Sequence, residues 1–139
     1  MTKVPNYLLD DQIGYLLRRV TQRHLALFSQ SIPQVTTTQF AVLARLRQLG
    51  PMSQNLLGRE TAMDAATIKG VVDRLSRQGL VATSPDPDDR RRLTVTLSDA
   101  GLAFFEASVA TALAVSEGTL APLDPEEQKT LVALLSRLV

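Results

Sequence analysis

Residues 71–101, VVDRLSRQGLVATSPDPDDRRRLTVTLSDAG, decide the fold of this chain. Apolar residues recur at helical spacing up to Gly79, and after it they alternate with polar ones. A period near 3.6 indicates an amphipathic helix, whereas a period of two indicates a strand. The stretch therefore predicts a helix followed by a hairpin, with strands LVATS (80–84) and LTVTL (93–97) and a connecting loop at 85–92.

Two short helices are predicted up to Gly79. Ser53 is a candidate N-cap for the helix QNLLGRETA (54–62), and Asp64 is one for the helix AATIKGVVDRLSRQ. Only a few residues separate them, which is typical of a helix-turn-helix. The second helix has an apolar stripe of Ile68, Val71, Val72 and Leu75.

Two further helices are predicted before this unit. Apolar residues lie at helical spacing over 8–30, and Pro33 ends that segment because proline disfavours helix at the residue before it. Thr36 and Gln39 fit a capping box that opens the next helix, and Gly50 is its expected stop.

Two more helices follow the hairpin. Ser98 caps a long helix that ends near Gly118, and Asp124 caps the last one, with Pro125 at the first helical position and Glu127 completing a capping box. The predicted fold class is therefore mainly α with a small β-hairpin. The terminal helices have apolar stripes that a second copy of the chain would bury.

Composition and charge exclude several classes of protein. The chain has 139 residues and no cysteine, which excludes disulfides, thiol redox chemistry and cysteine-based zinc sites. It has neither a signal-peptide core nor an 18-residue apolar run, so a soluble cytoplasmic protein without a membrane partner is expected. Residues 1–35 carry four basic and two acidic side chains, 36–97 nine and six, and 98–139 two and six. The basic middle favours a polyanionic partner.

The polar face of the second short helix is typical of a DNA-recognition helix. Small residues at its start would allow close approach to another surface, Thr67 and Lys69 could donate hydrogen bonds, and Arg74 could reach a phosphate. An ordinary solvated helix face is the alternative. The residues away from the apolar stripe are Ala65, Ala66, Thr67, Lys69, Gly70, Asp73, Arg74 and Arg77.

Three consecutive arginines, Arg90 to Arg92, follow the turn of the hairpin. Guanidinium groups on a projecting loop suit phosphates and a narrow minor groove. Asp88 and Asp89 could hold them extended by ion pairing, and Asp73 of the helix could anchor them too. The alternative is a solvated hairpin tip with weak ion pairs. No metal site is predicted among these acids, because the arginines would weaken a cation site.

The sequence resembles the MarR family of bacterial transcription regulators, whose winged helix-turn-helix has the pattern D-R-L...G-L-V...D-x-x-D-R-R...L-T-x-x-G. The upstream segments TTTQFAVLARL and MSQNLLGRE also resemble the second and third helices of that family. The matching positions of the pattern are Asp73, Arg74, Leu75, Gly79, Leu80, Val81, Asp86, Asp89, Arg90, Arg91, Leu97, Ser98 and Gly101.

The resemblance implies a winged helix-turn-helix lobe at 36–97 with its wing at 81–97. Terminal helices at 1–35 and 98–139 would form the dimer within a single-domain protomer. The protein would bind an inverted-repeat operator in double-stranded DNA, usually as a repressor, and a small effector would release it. By resemblance, the DNA-contacting positions are Ser53, Gln54, Thr67, Lys69, Arg74 and Arg90 to Arg92.

Three positions depart from the family pattern. Ser98 stands where Thr is commoner, Lys69 where Thr or Ser is common, and Gly70 where Arg is frequent. The resemblance therefore does not extend to the bases that are read.

The absence of cysteine excludes the oxidation-sensing branch of the family, and the resemblance then implies an aromatic carboxylate or phenol as effector. His24, the one histidine, lies within the apolar stripe of the first helix, with Arg23 at the rim of the stripe and Arg19 farther out. These three side chains could bind an aromatic acid by hydrogen bonds and charge. The alternative is a structural histidine at the dimer interface, with both arginines in surface ion pairs.

An enzyme is not expected, because the sequence has no nucleophile elbow and no glycine-rich phosphate loop. No cofactor is predicted either. The remaining alternative is a winged-helix module that contacts protein rather than DNA. The arginines of the wing argue against that alternative.

Overall fold

The computed structural model describes residues 2–139, which form six α-helices and three short strands. A 3-10 turn at Leu9–Asp11 precedes them. The elements are α1 (Ile13–Ser31), α2 (Thr37–Leu49), β1 (Met52–Ser53), α3 (Gln54–Glu60), α4 (Ala65–Arg77), β2 (Val81–Pro85), β3 (Leu93–Leu97), α5 (Asp99–Leu120) and α6 (Pro125–Ser136). The predicted mainly α fold class with six helices is confirmed. The sequence predicts the first helix as one segment over 8–30, but the extended backbone of Gln12 separates the 3-10 turn from α1.

The five predicted N-caps are confirmed by their hydrogen bonds. Thr36 accepts from the backbone N–H of Gln39, whose side chain accepts in return from the N–H of Thr36. Each such cap satisfies backbone donors that the helix itself leaves unpaired. The side chains of Ser53, Asp64, Ser98 and Asp124 likewise accept from the backbone N–H three residues later.

The sheet has three strands rather than the two of the predicted hairpin. β2 pairs with β3 in antiparallel register from Val81 opposite Leu97 to Pro85 opposite Leu93, so the first strand begins one residue later than predicted. β1 pairs with the other edge of β3, with Met52 opposite Val95. Because β1 is only two residues long, no alternation in the sequence could reveal it.

The chain divides into two compact units, one that joins the segment up to Ser31 with Ala112–Val139 and one that comprises Ile32–Thr111. The second unit contains the predicted helix-turn-helix lobe and has its own core. Its largest fully buried side chains come from α2, α3, α4 and β3, and are Val42, Leu43, Leu57, Ile68, Val72, Leu75 and Val95. Burial of the predicted stripe of α4 therefore fixes which face of that helix points outward.

Apolar side chains of the first unit are exposed in the single chain. Phe28 is buried, but the rest of the predicted α1 stripe remains largely open to solvent, as does part of α6. The exposed large apolar residues of these helices are Ile13, Leu16, Leu17, Val20, Leu25, Val132 and Leu134. A contiguous apolar surface of this kind marks an interaction face in a soluble protein.

Within residues 2–139, α5 is the one helix long and apolar enough to cross a membrane, with a mean hydropathy of 1.3. Length and hydropathy alone are weak evidence for a span. Glu106 and Glu117 lie on the helix, and the ring of Phe105 packs 5.1 Å from that of Phe40 on α2.

Gly101 on α5 lies against the backbone at the start of the wing. A Cβ at this position would overlap the carbonyl oxygen of Leu80, which also accepts the backbone N–H of Ser98 at 3.1 Å. The hydroxyl of Ser98 donates to the carbonyl of Gly79 at 2.6 Å and accepts from the N–H of Gly101 at 3.0 Å. These contacts join the end of α4, both long strands and the start of α5.

Replacement of Gly101 by alanine should therefore push α5 away from Leu80. We expect Gly101→Ala to lower the free energy of unfolding by about 1–3 kcal/mol, as overpacking of a closed site does. Gly70→Ala is the matched control, since Gly70 also lies within a helix but a Cβ there would have nothing within 4 Å. That change should raise stability by up to about 1 kcal/mol. Urea unfolding of both variants measures the difference, and equal effects would contradict the close approach.

Candidate nucleic-acid interface

The outer face of α4 is open to solvent at its start. Asp64 caps the helix by accepting the backbone N–H of Thr67 at 2.7 Å, and this hydrogen bond holds the pKa of the carboxyl below its usual value. The exposed residues of the helix are Ala65, Ala66, Thr67, Lys69, Arg74 and Arg77, and Gly70 and Asp73 are half-buried. The helix can therefore present its first two turns to a flat or grooved partner without moving its core face.

An ion pair on this face joins two predicted site residues. Lys69 Nζ lies 3.0 Å from Asp73 Oδ2 one helical turn later, where the Lys69 side chain is exposed and that of Asp73 is half-buried. The sequence predicts that Asp73 braces the wing, but in the structure its carboxylate contacts Lys69. The pairing is a local i,i+4 contact, which costs less chain ordering than a contact with the loop.

The loop of the wing, residues 86–92, is shaped by the side chain of Asp86. Its Oδ1 accepts the backbone N–H groups of Asp88 at 2.8 Å and Asp89 at 3.3 Å. The backbone N–H of Asp86 donates to the carbonyl of Arg92 at 2.9 Å and closes the loop. Such an Asx turn is a common use of aspartate in tight connections. Asp86 is not among the predicted site residues, although its place after a proline in a turn is a signal for this role.

Asp89 holds two of the three wing arginines. Its carboxylate oxygens lie 3.2 Å from Nε of Arg91 and 3.7 Å from Nε of Arg92. The hydrogen bond from Arg91 lowers the pKa of Asp89 most, so the carboxylate stays ionised at neutral pH. All three arginines remain exposed, and Arg90 makes no ion pair within residues 2–139. The loop thus presents three cations of which two have a defined orientation.

Ser53 and Gln54 lie beside the wing at the start of α3. Together with Asn55, Arg91 and Arg92 they line a depression of about 100 Å³. The side-chain oxygen of Gln54 is buried and has no hydrogen-bond partner in the part of the chain that the structure describes. An acceptor in this position can take a hydrogen bond from a ligand or from a wing arginine that leaves Asp89.

Two of the three predicted effector residues, Arg23 and His24, have partners within the first unit. Arg23 donates to the carbonyls of Thr119 at 2.6 Å and Gly118 at 2.7 Å, at the end of α5. His24 Nδ1 lies 2.8 Å from the hydroxyl of Thr119, which donates to the carbonyl of Val115 at 3.1 Å. A cation at a helix C-terminus is stabilising because it satisfies carbonyls and opposes the helix dipole.

These contacts determine which hydrogen-bonding atoms of Arg23 and His24 remain available to a ligand. In the tautomer in which His24 donates through Nδ1 to the hydroxyl of Thr119, that hydroxyl donates to Val115 and Nε2 of His24 is an acceptor. Arg19 is exposed on α1, four residues before Arg23. Nothing in the sequence points to Thr119, since it lies 95 residues from His24 and hydroxyls are common on helix ends.

Comparison with known proteins places the chain among transcription regulators. Residues 35–93 match the model of the MarR family. The chain is 42% identical to the HTH-type transcriptional repressor NicR of Pseudomonas putida over 135 residues, which are 96% of this chain and 85% of NicR.

Two solved structures are similar over almost the whole chain. A probable transcriptional regulator from Pseudomonas aeruginosa is 56% identical with a TM-score of 0.92, and the match covers 95% of this chain and all of that one. BpsR of Bordetella bronchiseptica, in a structure that concerns regulation of its DNA binding by 6-hydroxynicotinic acid, is 41% identical with a TM-score of 0.90, covering 96% and 97%.

Proposed function

Because this chain belongs to the MarR family of transcription regulators, we propose that it binds an inverted-repeat operator in double-stranded DNA as a homodimer and represses transcription until a small effector releases it. The resemblance found in the sequence is confirmed by the family match and by NicR. The geometry of the chain supports the proposed DNA contacts, homodimer and effector.

The braced wing beside the open face of α4 is the observation that supports DNA binding best. Asp89 orients Arg91 and Arg92, and Arg90 extends freely from the same loop. Guanidinium groups on such a loop suit phosphate oxygens and the minor groove. The small residues Ala65 and Ala66 at the start of α4 leave room for base edges beside Thr67 and Lys69.

The exposed apolar faces of α1, α5 and α6 support a homodimer. Ile13, Leu17, Val20 and Leu134 are each more than 40% exposed in the single chain. A two-fold partner would cover such surfaces, and it would present two copies of α4 to DNA with the symmetry of an inverted repeat. Repression and a cytoplasmic location agree with the relation to NicR, which is named a repressor.

We infer that the effector is a hydroxylated aromatic carboxylate bound at α1. His24 Nε2 can accept a hydrogen bond from the ligand hydroxyl, and Arg19, whose guanidinium has no polar partner within residues 2–139, can bind the carboxylate. Arg23, by contrast, is held by the end of α5. The related BpsR, whose DNA binding is regulated by 6-hydroxynicotinic acid, responds to a molecule of this chemistry.

The wing assignment predicts a salt-dependent loss of binding. For an operator selected from genomic fragments, replacement of Arg90 and Arg91 by alanine should reduce the slope of log K against log salt by about two and weaken binding at least about tenfold. Fluorescence anisotropy over a salt series measures both quantities, and light scattering checks that the dimer persists. The control removes two exposed cations elsewhere, Lys3 and Arg47. An affinity and slope equal to those of the control would refute the assignment.

The effector assignment predicts that His24→Ala and Arg19→Ala abolish the response to 6-hydroxynicotinic acid. In the wild type, this acid should release the operator and raise the melting temperature, because a ligand that binds the folded state stabilises it. Each variant should still bind the operator, since neither residue lies on the DNA face. Arg18→Ala is the matched control on the same helix. If 6-hydroxynicotinic acid still releases the operator fully from the His24→Ala variant, His24 has no role in sensing the effector.

A further inference from the structure

Three depressions follow one another along α3. The first lies between the wing and the start of α3, where Asn55 faces Arg91 and Arg92. The second, of about 190 Å³, is lined by Asn55 and Arg59 with the first residue of α4. The third, of about 610 Å³, is lined by Arg59 and Arg45 between α2 and the end of α3. Asn55 lines the first two depressions and Arg59 the last two, so neighbouring depressions share a lining residue, and we call the three together the α3 track.

The cations at the far end of the track are not neutralised by carboxylates of the described residues. Arg59 is exposed, and its side chain makes no hydrogen bond or ion pair within residues 2–139. Arg45 donates through Nε to the carbonyl of Glu60 at 2.8 Å and through Nη1 to the amide oxygen of Gln48 at 2.7 Å. Both acceptors are neutral groups, so they orient the guanidinium without cancelling its charge, and three of its five N–H donors remain.

Arg47 and Lys69 of this unit differ in that respect, because each is paired with a carboxylate. Arg47, two residues after Arg45 on α2, lies 3.4 Å from Glu106, and Lys69 lies 3.0 Å from Asp73. One carboxylate, that of Glu60, does line the third depression, but across residues 2–139 it forms no ion pair with either arginine. Two guanidinium groups without a carboxylate partner, in neighbouring depressions, suit an elongated ligand with repeated negative charges.

We propose that the α3 track binds the sugar–phosphate backbone of one DNA strand, with Arg59 and Arg45 contacting phosphates beyond those reached by the wing and α4. This inference rests on the proposed DNA-binding function and adds residues that the sequence did not single out. A single small anion would occupy one depression, whereas a backbone strand supplies a phosphate to each. Asn55 would donate from its amide at the point where the first two depressions meet.

Arg59→Ala provides the sharpest test, because the side chain has no polar contact within the described fold to lose. The probe is a fluorescein-labelled 30-base-pair duplex of arbitrary sequence, since phosphate contacts do not depend on sequence. We expect about three- to tenfold weaker binding at low salt and a salt slope reduced by about one. Arg59→Lys should retain most of the affinity, because lysine also contacts phosphate as a point charge.

Arg47→Ala is the matched control, with the same loss of charge on α2 but a side chain paired with Glu106. Its slope should stay within a few tenths of the wild type. If Arg59→Ala and Arg47→Ala behave alike while the variant lacking Arg90 and Arg91 loses binding, the track is refuted and the DNA-binding function stands. If the wild-type protein binds no duplex, both the α3 track and the proposed DNA-binding function are overturned. A circular dichroism spectrum equal to that of the wild type confirms that each variant is folded.

Discussion

The close approach of Gly101 to the carbonyl of Leu80 is the constraint on which the DNA-binding unit depends. At this joint, the end of α4, the start of β2, the end of β3 and the start of α5 meet within a few hydrogen bonds. Ser98 connects the end of α4 to the start of α5, because its hydroxyl donates to the carbonyl of Gly79 and also caps α5. No side chain larger than hydrogen fits at position 101, so α4 and the wing leave the joint in a fixed relation.

The outer face of α4 and the wing both extend from this joint, and different interactions stabilise them. α4 is fixed by its buried stripe, which leaves the outer face free for a partner. The buried apolar residues of the wing, Val81 and Val95, lie in its strands, so its loop depends on the Asx turn of Asp86 and on the carboxylate of Asp89. Mixed charge in this loop therefore has a structural role, because Asp89 defines where Arg91 and Arg92 lie and does not simply offset their charge.

Local features of the fold could be predicted from the sequence, and long-range ones could not. The caps at Thr36, Asp64 and Asp124 were predictable because each side chain and its backbone donor lie three residues apart. The pairing of Met52 with Val95 was not, since a two-residue strand has no pattern and its partner lies 43 residues away. Adjacent charges likewise predict ion pairs without settling which ones form.

In the candidate sites, too, local features could be predicted from the sequence and long-range contacts could not. The exposed face of α4 and the arginines of the wing follow from periodicity and charge. Three other features depend on distances between side chains, which the sequence does not give. They are the ion pair between Lys69 and Asp73, the hydrogen bond between Thr119 and His24, and the cations without carboxylate partners beside α3. Distances also separate the three predicted effector residues, because Arg23 caps α5 while His24 and Arg19 keep groups that a ligand can use.

The central claim is that the wing presents arginines that Asp89 positions for DNA. Its most direct test compares Asp89→Asn with Asp88→Asn, two changes that each remove one negative charge from the same loop. The affinity of each variant for operator DNA is measured at one fixed salt concentration. Positioning predicts that Asp89→Asn weakens binding several-fold, whereas Asp88→Asn leaves it unchanged or slightly stronger. An equal increase in affinity for both variants would contradict the claim, because it would show that only the net charge of the loop matters.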